Sequence, residues 1–82
     1  MAKTEEKKEI KFEVIERIAV CNSTPNMWSL MITRTAWNGR EPRGLDLRWW
    51  DPHMQRCRKG IILSEEDARG VLAALQTYFS EE

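Results

Sequence analysis

The residues best equipped to bind something lie in one stretch of the chain. Four tryptophans, Trp28, Trp37, Trp49 and Trp50, all fall between residues 17 and 60. The same stretch carries Arg17, Arg34, Arg40, Arg43, Arg48, Arg56, Arg58 and Lys59 against Glu41, Asp46 and Asp51, a net charge of +5. The flanks are acidic, at −1 for residues 1–16 and −4 for residues 61–82, so the net charge of zero hides an asymmetry. Arginine beside exposed aromatic rings is the composition of a surface that grips phosphates and stacks unpaired bases. The plainer reading of the same residues is a sheet solvated by arginine.

The sequence gives little support for catalysis. His53 is the only histidine, and no paired nucleophile and base, glycine-rich phosphate loop or metal-ligand spacing is evident. Cys21 and Cys57 form no Cys-x-x-Cys pair, and no secretory signal stands ahead of them. Reduced thiols in a cytoplasm are therefore expected, without metal or other cofactor. No apolar run approaches the ~18 residues of a membrane span. A non-enzymatic, cytoplasmic protein is the expectation, with no membrane partner and no small-molecule substrate.

The elements that must position these residues follow from periodicity. Residues 1–9, "MAKTEEKKE", read as a charged flexible tail, and residues 10–82 as one domain. Period two begins near Glu9, with Ile10, Phe12, Val14, Ile18 and Val20 on one face, Glu16 the exception, and a bend near Val14 and Ile15. "NSTPN" (22–26) is turn chemistry. A second strand runs from Met27 to about Trp37, with Trp28, Leu30 and Ile32 on one face and Met31, Thr33, Thr35 and Trp37 on the other.

"NGREPRG" (38–44) is a loop that holds Arg40 and Arg43. "GLDLRWWDP" (44–52) is the third strand. Leu45, Leu47 and Trp49 share one face; Asp46, Arg48 and Trp50 share the other. A fourth strand near "KGIIL" turns Ile61 and Leu63 to the core. Ser64 and Asp67 then form a helix start, followed by an apolar stripe of Ala68, Val71, Leu72, Leu75, Tyr78 and Phe79.

The predicted fold is α+β: a four-stranded antiparallel sheet followed by one C-terminal helix, β-β-β-β-α. The helix is expected to cover the Leu45/Leu47 face and to leave open the face carrying Trp37, Arg48 and Trp50. Parity thus makes Trp50 an outward stacking residue and Trp49 a packed one. A dimer contact is the competing reading of Trp50, since aromatics are also enriched in interfaces. An 82-residue chain buries only roughly 60–65% of its unfolded surface, so a homodimer is expected to complete the core. Val71, Leu72, Leu75 and Phe79 would lie in the core or that interface.

The ordered pieces "WNGREP", "LDLRWW", "DP" and "RKGIILSEED" resemble the single-stranded-DNA-binding C-terminal domain family of positive cofactor four, a transcriptional coactivator. The likeness covers roughly residues 10–79 and is greatest to the short bacterial members, which "MWSLMITRTAW" resembles in its two tryptophans and Arg34. It implies a homodimer of curved sheets, helices packed between subunits, and grooves for single strands or an opened duplex.

By position, Trp37 matches a stacking aromatic and Arg48 the arginine of the family's Asp-x-Arg strand. Trp50 lies near the second stacking aromatic, with Trp49 not excluded because spacing differs by a residue among members. Arg58 and Lys59 match a basic pair, and Arg40 a basic turn residue. The chain departs from the family in two extra residues around Glu41 and Pro42, in Thr35 where many members have arginine, and in lacking a Ser-rich regulatory region.

The expected function is sequence-tolerant binding of single-stranded DNA, in transcription regulation or DNA maintenance at the nucleoid. RNA is an alternative ligand, because stacking does not read the 2′-hydroxyl. The alternative class is a protein-interaction module that docks a polypeptide on the Trp/Arg face.

Overall fold

A computed structural model describes residues 10–81. The expected charged tail at 1–9 lies outside them. The element order is β1 (Phe12–Ser23), β2 (Ser29–Trp37), β3 (Leu45–Trp50), β4 (Ile61–Leu63) and α1 (Glu65–Ser80). The strands form one antiparallel sheet in sequential order β1-β2-β3-β4. This is the predicted β-β-β-β-α architecture. No described helix is long and apolar enough to cross a membrane.

Local chemistry explains the boundaries. Between β1 and β2, Thr24 Oγ1 accepts the Trp28 N–H at 3.1 Å and Met27 takes a positive φ of 71°. After β2, Asn38 and Gly39 sit at φ 55° and 79°, and the Arg40 N–H closes onto the Trp37 carbonyl at 3.0 Å. Glycine takes this conformation without the Cβ clash that other residues meet. The helix starts as predicted, with Ser64 Oγ accepting the Asp67 N–H at 3.1 Å and three acidic residues in the first turn.

Cross-strand pairing fixes the faces. Thr33 opposes Asp46, Met31 opposes Arg48 and Ser29 opposes Trp50 on one face. Leu30 opposes Trp49 and Ile32 opposes Leu47 on the other, joined by Ile61 and Leu63 of β4. The predicted parity of β2, β3 and β4 is therefore observed.

That of β1 is not. Its register shifts between Val14 and Glu16, Arg17 and Ala19, and Val20 and Asn22. Ile15, Ile18 and Cys21 are bulged residues without a partner in β2. Arg17 and Val20 oppose Thr33 and Met31, so they continue the face of Phe12 and Val14, while Ile18 drops out of it. Each bulge adds a residue and bends the strand.

The second correction concerns which face is buried. Met31, Thr33, Thr35, Asp46 and Trp50 are all buried, and all lie on the face expected to be open. Trp50, expected to face outward, is fully enclosed at 0% exposure. Phe12 meets it edge-on at 5.2 Å, Trp37 lies nearly parallel to it at 6.3 Å, and the chain returns to pair Cys57 with Trp50.

The helix does not cross the other face. It packs chiefly on β4 and buries none of its residues. Val71, Leu72, Leu75, Tyr78 and Phe79 stay 43–64% exposed. Trp49, Leu45 and Leu47 are only half-buried. Parity fixed the side to which each residue points. Burial followed from the bent β1 and the returning 51–57 segment, which enclose the aromatic face.

The role of Trp50 changes accordingly. Its indole N–H has no hydrogen-bond partner among the described residues. Such a group costs about 1–3 kcal/mol, which packing must outweigh. Trp50→Ala is expected to lose about 3–5 kcal/mol of stability in a urea titration by opening a cavity. A variant that melts like the parent chain would mean that the indole is not packed as described.

Candidate nucleic-acid interface

Trp37 is the last residue of β2 and opposes Phe12 of β1. Its ring meets Phe12 at 5.5 Å with a tilt of 50°. The turn behind it is clamped to β1, since the Asn38 N–H donates to the Lys11 carbonyl at 2.7 Å and Asn38 Oδ1 accepts the Lys11 N–H at 3.3 Å. Its indole N–H donates to Asp46 Oδ2 at 2.9 Å. Asp46 Oδ1 accepts the Arg48 Nε–H. The Arg48 guanidinium carbon lies 4.6 Å over the Trp37 ring, within reach of a cation–π contact. Beneath this network, Thr33 and Thr35 satisfy each other through a hydroxyl pair at 2.7 Å.

Asp46 is 1% exposed, and these two donors satisfy both of its oxygens. A buried carboxylate without partners would be strongly disfavoured. Gly60, just before β4, makes room for the arrangement. A Cβ there would run into the Leu47 carbonyl and the Arg48 Cβ.

Two grooves flank this centre. The first, about 480 Å³, is lined by Ile10, Trp37, Asn38, Arg40, Glu41, Arg43, Arg48 and Ile62. The second, about 420 Å³, is lined by Ile10, Phe12, Trp37, Arg48, Gln55, Arg56, Cys57, Arg58 and Lys59. They share Ile10, Trp37 and Arg48. Around both grooves stand six basic residues, Arg40, Arg43, Arg48, Arg56, Arg58 and Lys59, against the single carboxylate Glu41.

The basic wall of the second groove is fixed by Asp51. Its Oδ1 accepts the N–H groups of Gln55 at 2.7 Å and Arg56 at 2.8 Å, and its own N–H donates to the Arg56 carbonyl at 2.9 Å. The Arg56 N–H above all holds the Asp51 carboxyl below the usual carboxylate range.

The sequence-predicted residues divide. Trp37, Arg40, Arg48 and Lys59 gather around the grooves. Arg58 lines the second groove, but its guanidinium lies 4.6 Å over Trp28, in a separate cleft of about 250 Å³ with Thr24, Asn26 and Trp49. Trp50 lies under Trp37 and offers no open face for stacking. Arg34 opposes Glu16 on the face of Ile32, away from Trp37 and Arg48. Its even position already implied that side.

Phe12, Arg43 and Arg56 join the site without having been singled out as binding residues. Phe12 could have been found from its register with Trp37. Arg43 and Arg56 carried only the general signal of a basic segment. Among the described residues, no group of three or more His, Cys, Asp or Glu side chains could hold a metal ion. Both cysteines are free thiols. No family model matches the chain, and no curated protein matches it either.

Proposed function

We propose that this chain binds single-stranded DNA with little sequence preference. The carrying observation is one indole, Trp37, set between two grooves lined by Arg40, Arg43, Arg48, Arg56 and Lys59 against one carboxylate, Glu41. Arg40 and Arg43 on one side, and Arg56 and Lys59 on the other, supply charge for successive phosphates. Trp37 and Phe12 supply aromatic surface for unpaired bases, which stack with little regard to identity. This reading agrees with the resemblance to the positive cofactor four family, and transcription regulation or DNA maintenance is the setting it suggests.

The active form in this proposal is a homodimer. The exposed apolar stripe of α1 and the half-buried Leu30/Ile32/Leu47 face are apolar surfaces of the kind that mark association sites. A second copy, with the same stripe and sheet face, supplies matching cover.

Two experiments test these statements. Fluorescence titration with a mixed-sequence single strand should give binding that weakens with salt. Each neutralised phosphate should add about −0.7 to the slope of log K against log salt. A slope near zero, or no binding, would instead favour docking of a polypeptide on the Trp/Arg face. An RNA strand of the same sequence separates the two nucleic acids. Sedimentation equilibrium at micromolar concentration should give twice the 9.7 kDa of one chain, and Leu75→Asp should abolish that mass or the fold. A monomeric parent chain would contradict the dimer.

A further inference from the structure

We infer that Arg48 serves the proposed single-strand site as a flat stacking plate rather than as a phosphate clamp, and that the buried Asp46 is the positioning residue that sets the plate. The inference rests on the nucleic-acid reading above and goes further in assigning roles to two side chains.

Three observations carry it. The Arg48 Nε–H is committed to Asp46, so the positive charge is already paired within the protein. The guanidinium carbon lies 4.6 Å over the Trp37 ring, so it covers part of the indole that a base would otherwise use. The same carboxylate takes the Trp37 indole N–H at 2.9 Å, so one residue 1% exposed fixes both members of the stack.

Arg48 keeps 14% of its side chain exposed and lines both grooves. A base entering either groove meets a guanidinium backed by an indole. Guanidinium planes stack on bases as aromatic rings do. A neutralised ion pair releases few counterions when a phosphate approaches, so Arg48 should add little to the salt dependence. That dependence is left to Arg40, Arg43, Arg56 and Lys59.

The test is a single-strand titration at several salt concentrations for the parent chain, Arg48→Lys and Asp46→Asn, with thermal melts to verify folding. Arg48→Lys keeps the charge beside Asp46 but loses the plane. Its affinity should fall roughly tenfold or more, within the range for losing one stacked base, with an unchanged salt slope. Asp46→Asn still accepts the Trp37 N–H but frees the Arg48 charge. Its slope should steepen by about 0.7, which simple loosening of the fold would not produce.

Parental affinity in Arg48→Lys, or a loss accompanied by a changed slope, would overturn the stacking role. A parental slope in folded Asp46→Asn would overturn the positioning role. If Asp46→Asn does not fold, Asp46→Glu, which keeps the charge but displaces the carboxylate, tests the positioning: lowered affinity at an unchanged slope supports it, and parental affinity overturns it. Absence of binding by the parent chain would overturn the nucleic-acid reading itself, and this inference with it.

Discussion

The carboxylate of Asp46 is the constraint around which this fold is arranged. It sits inside the sheet, 1% exposed, and accepts one hydrogen bond from Trp37 and one from Arg48. A charge so deep is tolerated only because both oxygens are occupied by good donors. The first contact ties the end of β2 to β3. The second lays Arg48 over the Trp37 ring. With Trp37 held by its N–H, its ring lies nearly parallel to Trp50 and tilted against Phe12. The aromatic cluster and the polar network are thus two sides of one arrangement.

From this centre the molecule divides into two unequal faces. The Asp46 face is filled in the single chain and flanked by basic grooves. The opposite face is left half-covered, because α1 stays near β4 with its apolar stripe outward. The filled face is buried and internally hydrogen-bonded, and the unfilled face carries exposed and half-buried apolar residues. The two proposals, a strand-binding face and a dimerising face, follow from that division.

The sequence made the regular parts legible. Alternation along "SLMITRTAW" and "LDLRWW" assigned each side chain to its face, and Ser64 with Asp67 marked the helix start. β1 resisted because Ile15, Ile18 and Cys21 are inserted as bulges, and period two cannot carry across an inserted residue. Alternation places Trp50 on its observed face but leaves it open there, whereas the structure encloses it. Nothing local to "RWWDP" reveals that Phe12 and the returning 51–57 segment will enclose it. Of the candidate binding residues, Trp37, Arg40, Arg48 and Lys59 converge through hairpin geometry. The resemblance points to Arg34, whereas its parity places it with Ile32.

In the proposed site, Trp37, between the two basic grooves, is where a single strand is met. The four indole N–H groups provide four separate reporters in a nitrogen-15 correlation spectrum, assigned by single Trp→Phe variants. The decisive measurement is a titration of the labelled protein with an oligonucleotide. The Trp37 signal should move furthest and saturate with binding, with smaller transmitted shifts at Trp50 and little change at Trp28. Movement of Trp28 and Trp49 with a stationary Trp37 would place the strand on the opposite face and contradict the proposed site.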